Sequence, residues 1–520
     1  MLRAMKNFLV SVLLLAEFPA VSQAAISSEQ VAIVYNSTVP ESRKLAEIYR
    51  EARGIPEENV IALDMPPRAD ISRDDYDRTI LKPLRREFEA RAWWKRQSES
   101  GGVTLPVINK IRVLVTMRGV PLRIQPVPKP APKPGDPPPV NPMAGHDEAS
   151  VDSELAMFGV EGLPTDSVLQ NKFYQSTKSI SEANLPFLVL TARIDAPTFA
   201  TCERMIRDAV AVEKTGLWGR AYVDIANKIP QGDAWLETVV KENNAVGIPT
   251  VVDRFNDTLP KNYPMTDASL YYGWYDAHVS GPFLNNRFAF RKGAVAMHLH
   301  SFSAEQLTDA SKNWSGALLE GGAAVTVGNV YEPYLHLTHD FGIIQQRLLA
   351  GYTWVEACWM AIPATSWQGV VLGDPLYKPF KHLDGSGEKQ DGDIEFRALR
   401  AAVLEWKKDP LERNSQLAKA VERMKSGVLA EALGLDMLER KDPIQAVQWF
   451  RTAKGLYVKT EDKLRQDLEI IAIDRAAGRK DSAVRGLRDA RITYGPLQEA
   501  ESLKGWLDIL DPPAPVPAKP

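Results

Sequence analysis

The chain has 520 residues, of which 44% are hydrophobic and 25% are charged. This composition excludes an intrinsically disordered chain, and the length suffices for two or three domains with cores of their own. The formal charge of -3 argues against a nucleic-acid partner, because dedicated nucleic-acid surfaces are usually basic.

The first 24 residues have the layout of a secretory signal peptide. Arg3 and Lys6 precede the apolar run FLVSVLLLAEF, and the small residues Ser22 and Ala24 suit cleavage. The alternative is an uncleaved N-terminal anchor, although the run is short for one. We expect residues 1–24 to be removed, the mature protein to be periplasmic or secreted, and the mature chain to contain no membrane span.

Short apolar runs alternate with amphipathic helical patterns up to about residue 380. Strand-like runs occur at residues 31–36, 60–63, 111–117, 187–195, 220–226 and 294–298. Alternation of this kind predicts a parallel sheet with crossover helices. We therefore assign residues 25–381 to one α/β domain.

Residues 126–142, PVPKPAPKPGDPPPVNP, interrupt this pattern. Proline removes backbone donors and fixes its own φ, so the segment is predicted to be an exposed, extended insertion. The alternative is a polyproline ligand for a partner protein.

Cys202 and Cys358 are the only cysteines, which excludes a disulfide-stapled scaffold. Both lie in apolar, helical contexts, and such contexts predict buried structural thiols. A bridge between them and a nucleophilic role for either one are the alternatives.

Helical patterns dominate after residue 395. Residues 382–395 are polar and glycine-rich, which is typical of a linker, and residues 511–520 are predicted to be disordered. Within residues 396–510, Ala446 and Ala453 recur one pattern later as Ala483 and Ala490. Small residues at such positions let paired helices pack closely, so a tetratricopeptide-like array is predicted, with a plain helical bundle as the alternative. An array would offer an extended surface to a protein partner.

The histidine-rich stretch from residue 270 to residue 332 carries the candidate chemistry. If the strand continued past His298, then His298 and His300 would lie on one face as a pair of metal ligands. Asp276, His278 and Glu332 could complete that site. The alternative is that these histidines are hydrogen-bonded at a strand end. The sequence identifies no cofactor.

Nucleophilic catalysis is a second possibility in the same stretch. Ser301 or Ser303 could act with His300 or His278 as its base, and Asp276 could orient that base. Adjacent strand residues point to opposite faces, which counts against a pair of Ser301 and His300 unless the chain turns there. Glu332 follows a predicted strand, so its carboxylate either binds a ligand or accepts hydrogen bonds in a rigid turn.

Several motifs in a fixed order resemble an uncharacterised family of exported bacterial proteins, found mainly in genomes that carry the exosortase and PEP-CTERM sorting system. They include VAIVYNSTVPESRKLAEIYREARGIPEENVIAL, TMRGVPL, SVDSELA, RIDAP, HLHSFSA, GNVYEPYL and SWQGVVLGDPLYKPF. The resemblance covers nearly all of residues 31–380. It implies export, and it implies no particular activity.

A more distant resemblance is to gingipain-type cysteine peptidases, whose caspase-like sheet carries a His-Gly turn after one strand and a cysteine after the next. YYGWYD and AMHLHSFSA resemble these two positions. Trp274 stands near the expected histidine, and HLHS offers no cysteine. The resemblance implies a caspase-like α/β domain that has lost the thiol mechanism and acts in binding or assembly in the cell envelope. An active hydrolase that uses a metal, or serine and histidine, at residues 276–301 is the alternative.

Overall fold

A computed structural model describes residues 26–99, 101–128 and 145–513 of the chain. The predicted signal peptide, most of the proline-rich insertion and residues 514–520 of the predicted tail lie outside these ranges.

The principal strands are numbered β1 to β10 in chain order. Their bounds are Val31–Asn36, Val60–Leu63, Val113–Met117, Leu190–Ile194, Arg220–Asp224, Thr250–Asp253, Ala268–Gly273, Val295–His298, Thr326–Asn329 and Gly369–Leu372. Shorter strands pair beside them at Asp70–Ile71, Trp94–Ser98, Thr104–Asn109, Arg123–Ile124, Ala149–Ser150, Leu169–Gln170 and Ala364–Thr365.

The helices are numbered α1 to α16. Those of the α/β part are Pro40–Arg53, Arg73–Tyr76, Lys82–Ala90, Val151–Leu155, Phe199–Thr215, Pro230–Ala245, Ser315–Glu320, Phe341–Leu349 and Trp354–Ala361. Helices α10 to α16 are Ile394–Glu405, Pro410–Met424, Gly427–Glu439, Pro443–Leu456, Thr460–Ala476, Lys480–Tyr494 and Glu501–Leu510. Among the described residues, no helix is both long enough and apolar enough to cross a bilayer.

The strands form a six-stranded sheet in the order β9-β10-β4-β3-β1-β2 and a four-stranded sheet in the order β6-β5-β7-β8. Neighbours in both sheets are parallel, except for the antiparallel pair of β9 and β10. A parallel bridge between Val295 and Val325 joins β8 to the residues just before β9. The predicted parallel α/β sheet with crossover helices is therefore confirmed.

The same strand order occurs once in each of the two sheets. The first unit is β2-β1-β3-β4 and the second is β6-β5-β7-β8. Because β9 runs parallel to β8 but antiparallel to β10, the two units run in opposite directions. The carboxyl ends of β7, β8 and β9 consequently meet at one edge, away from the carboxyl ends of the first unit.

Helices cover both faces of the sheet. On one face a single apolar core runs under both units, from Val31 and Val115 to Val223 and Val295. On the opposite face of the second unit, the aromatic rings of Tyr222 and Tyr271 share a core with α14, α15 and α16. The C-terminal helices therefore pack directly on the sheet.

Candidate functional site

A small cavity lies at the carboxyl ends of β7, β8 and β9, where Trp274, His300 and Asn329 stand. Its volume is about 110 Å³, equivalent to roughly four water molecules at ~30 Å³ each. The apolar part of the lining comprises Ile229, Trp274, Leu299, Pro333 and Leu335, and the polar part comprises His300, Ser301, Asn329, Glu332 and Thr338. Loops at this edge of a parallel sheet are where ligands usually bind.

The indole of Trp274 is fixed in one orientation. Its Nε1 donates a hydrogen bond of 2.9 Å to Oδ1 of Asp233, near the start of α6. Gly232 permits this contact, because a Cβ atom there would lie 2.3 Å from the indole ring. Trp274 follows β7 directly, and its indole is buried.

His300 lines the cavity, and one of its ring nitrogens is available as a hydrogen-bond acceptor. Its Nδ1 bonds the backbone carbonyl of Ser301, and since a carbonyl only accepts, Nδ1 carries the proton. With the proton on Nδ1, Nε2 is the ring nitrogen that can accept a hydrogen bond, and no described residue donates to it. The ring packs at 4.8 Å from that of Tyr275, an exposed side chain at the cavity mouth.

Asn329 presents a donor to the same cavity. Its Oδ1 accepts a hydrogen bond of 3.0 Å from Oγ1 of Thr338, which fixes the orientation of the amide. Within the described ranges, Nδ2 has no hydrogen-bond partner, and the residue is 3% exposed. Asn329 is not among the residues predicted from the sequence, although it is a polar residue that ends the apolar run AAVTVGN.

His298 has a structural role. Its Nε2 accepts a hydrogen bond of 3.2 Å from the backbone nitrogen of Asp276, and Nδ1 bonds the hydroxyl of Tyr271 at 3.0 Å. The ring stacks on Trp314 with centroids 3.4 Å apart. Burial, and secondarily the nearby His300, hold the pKa of His298 well below its usual range.

The predicted pair of metal ligands requires a correction. Strand β8 ends at His298, so the period of two does not extend to His300. Both ring nitrogens of His298 already have partners from the protein. Across residues 26–99, 101–128 and 145–513, no group of three or more histidine, cysteine, aspartate or glutamate side chains is placed to hold a metal ion.

Asp276 and His278 do not orient His300. The Asp276 carboxylate accepts hydrogen bonds from the hydroxyls of Thr258 and Ser280. His278 is exposed, and its Nδ1 accepts a hydrogen bond of 3.2 Å from the backbone nitrogen of Asn313. The Asp276 carboxylate therefore bonds neither His278 nor His300, contrary to the predicted arrangement.

Ser301 and Glu332 do lie at the cavity with His300. The Nδ1 of His300 is engaged by the carbonyl of Ser301, which directs the free Nε2 to the other side of the ring. Glu332 is exposed, and its Oε1 accepts a hydrogen bond of 3.3 Å from the backbone nitrogen of Tyr334. That contact is the turn interaction predicted as the alternative for Glu332.

The two cysteines are buried, free thiols, as predicted. Cys202 lies in α5 and Cys358 in α9, and neither lines the cavity. Burial raises the pKa of both thiols above the usual range. A thiolate nucleophile is therefore not part of this site.

The cavity thus combines a fixed amide donor, an imidazole acceptor and an apolar wall. Comparison of the chain with family models, with curated proteins and with solved structures finds no match.

Proposed function

We propose that this chain is an exported protein whose caspase-like α/β domain has lost the thiol mechanism and binds a segment of a partner protein in the cell envelope. Two observations carry the proposal: Asn329 and His300 line one apolar-walled cavity, and Asn329 Nδ2 and His300 Nε2 have no hydrogen-bond partner among the described residues. Binding or assembly, rather than bond cleavage, is the role assigned to this site.

An amide group complements the two polar atoms. Its carbonyl oxygen can accept from Asn329, while its N–H can donate to His300. Both protein groups are held by partners of their own, so little ordering entropy is lost on binding. Trp274 and Leu335 then pack against the carbons that flank the amide. Peptide groups have this chemistry, which is why a polypeptide segment is the proposed ligand.

The C-terminal helices support a partner of this kind. Ala446, Ala453, Ala483 and Ala490 are all buried, in accordance with close packing between successive helices. We include a tetratricopeptide-like arrangement in the proposal, because such arrays present broad surfaces to protein ligands. The resemblance to exported, exosortase-linked proteins makes envelope protein sorting the proposed setting.

Photo-crosslinking in intact cells tests the proposal. A benzophenone amino acid replaces Tyr275 at the cavity mouth, and the matched control replaces Ile108, which is 62% exposed on a different strand pair. We expect a discrete crosslinked product at position 275 and not at position 108. Adding Asn329→Asp, which removes the donor but keeps the shape, should abolish it. Products that are equal at both positions and insensitive to Asn329→Asp contradict the proposal.

A hydrolase is the second candidate, because His300 and Glu332 border the same cavity. In this mechanism the free Nε2 of His300 would act as general base toward a water molecule. Hydrolysis of peptides or peptide esters that exceeds the buffer rate and disappears in His300→Ala would favour it. If the site only binds peptides, neither the wild type nor His300→Ala should hydrolyse these substrates faster than the buffer does.

A further inference from the structure

Two buried carboxyl groups lie side by side on neighbouring strands, outside the lining of the cavity. Asp224 ends β5 and Asp253 ends β6, and the two residues are register partners in a parallel pair. Strands in a sheet lie about 4.8 Å apart, and paired residues of parallel strands point to the same face. The side chains are 2% and 6% exposed, respectively.

Each carboxyl group has one satisfied oxygen and one without a partner. Asp224 Oδ2 accepts from the backbone nitrogen of Leu259 at 3.0 Å, and Asp253 Oδ1 accepts from that of Phe255 at 3.0 Å. Asp224 Oδ1 and Asp253 Oδ2 are buried and make no hydrogen bond to any described residue. A buried polar atom without a partner is costly, so two of them on adjacent residues call for a common explanation.

The surroundings supply little positive charge to offset two carboxylates. Arg475 of α14 is the cation that acts on Asp253, but its guanidinium bonds the carboxylate of Asp257 at 2.6 Å. The other titratable groups that act on the pair, or respond to it, are acidic or phenolic: Asp257, Asp276, Glu469, Tyr263 and Tyr271.

We infer that Asp224 and Asp253 share a proton in the folded protein, and that its loss loosens the loop of residues 254–259. One proton between Asp224 Oδ1 and Asp253 Oδ2 provides the missing partner for both atoms. Without that proton, two like charges stand side by side in a buried setting. Burial raises the pKa of Asp253 to about 7. Burial also raises the pKa of Asp224 well above its usual range, and the charge of Asp253 is the next largest cause of that shift.

The loop that depends on this pair also holds the C-terminal helices. Phe255 lies under the guanidinium of Arg475, with 3.7 Å between its ring centroid and Cζ. The ring of Phe255 also meets Trp506 of α16 edge-on, at 6.0 Å between centroids. Because both carboxylates accept from backbone nitrogens of the loop, their repulsion acts directly on these contacts. Rising pH should therefore weaken the seating of α14 and α16 on the sheet.

Unfolding by urea at several pH values tests the shared proton. The variants are Asp224→Asn/Asp253→Asn, in which the pair cannot ionise, and Asp309→Asn as an exposed control. His298, His339 and Glu469 also titrate abnormally, so the comparison between proteins, rather than one pH curve, isolates the pair. The quantity to compare is the ratio of the wild-type folding equilibrium constant to that of the double variant. As pH rises from 5 to 7, this ratio should fall at least about tenfold per pH unit.

Hydrogen exchange of the peptide that covers residues 254–259 is a second measurement, and it requires only the wild-type protein. After correction for intrinsic rates, its protection should be lower at pH 8 than at pH 6, while peptides from β1 and β3 stay unchanged. Equal protection at both pH values overturns the proposal. Parallel pH profiles of the wild type and the double variant also overturn it.

Discussion

Arg220 of β5 and Glu431 of α12 form an ion pair, with 2.9 Å between Nη2 and Oε2, and both side chains are fully buried. Arg465 of α14 bonds the same carboxylate at 2.7 Å. Burial alone would raise the pKa of Glu431, but the two guanidinium groups hold it well below its usual range. This carboxylate therefore links the C-terminal helices to the sheet.

Replacing Glu431 with Gln should destabilise the protein strongly. Two buried guanidinium groups would lose the carboxylate that they share, and Arg220 would keep only Asp267 and Arg465 only Asp462 as carboxylate partners. Breaking a buried ion pair typically costs about 3–5 kcal/mol. Urea unfolding at pH 7.5 measures the change. The control is Glu439→Gln, which removes the exposed pair with Arg254 and should cost about 0–1 kcal/mol. Similar losses in both variants would contradict the assigned role of Glu431.

His298→Ala should cost about 2–4 kcal/mol at pH 7.5, because it removes two hydrogen bonds and the stacking on Trp314. His278→Ala is the control, and its exposed ring should contribute less than about 0.5 kcal/mol.

The stability difference between wild type and His298→Ala should depend on pH. The pKa of His298 is depressed in the folded state, so its unfolded form takes up a proton first as pH falls below about 6.5. Wild-type stability therefore drops on acidification, and the difference should shrink by about 1.4 kcal/mol between pH 7.5 and 5.5. A difference that grows on acidification would show that the folded ring is protonated.

The thiols should be inert in the native protein. Cys202 and Cys358 are buried with raised pKa values, so iodoacetamide at pH 8 should label neither within an hour. Both should label after denaturation in urea. Rapid labelling of native Cys358 or Cys202 would reopen a thiol mechanism.

Thr338→Val should weaken the crosslink from position 275 by about tenfold. The hydroxyl of Thr338 fixes the Asn329 amide, and its loss lets the amide rotate away from the donor orientation. Thr338→Ser restores the hydroxyl and should restore the product. Loss of the product in both variants would indicate general damage to the cavity instead of positioning.

The strand positions were predictable because each strand is a short apolar run, as in VAIVYN and IRVLV. The reversal of direction between the two units was not, since it arises from the pairing of β9 with both β8 and β10. Such pairings join distant parts of the chain and leave no local pattern. The pairing of Asp224 with Asp253 could not be predicted for the same reason.

The stretch that the sequence predicts to carry the site contributes several residues to the lining of the cavity, but the pattern did not reveal the contacts of those residues. His300 and Ser301 line the cavity as expected from their place after an apolar strand. His298 was assigned to a metal site because the H-x-H spacing fits two ligands, yet the strand stops at the first histidine. Asn329 could not be predicted because the orientation of its amide depends on a hydrogen bond from the hydroxyl of Thr338. The two side chains come into contact only in the folded protein.

The most direct test of the central claim is the response of the His300 ring to a simple amide. The chain has only seven histidines, so selective ¹³C labelling of histidine rings gives a spectrum that His300→Ala can assign. N-methylisovaleramide is titrated against methyl isovalerate, an ester with the same acyl chain and a carbonyl group but no N–H donor. The account predicts a saturable shift of the His300 signal with the amide and a much weaker one with the ester. No shift, or equal shifts with both compounds, would contradict the claim that this cavity binds peptide groups.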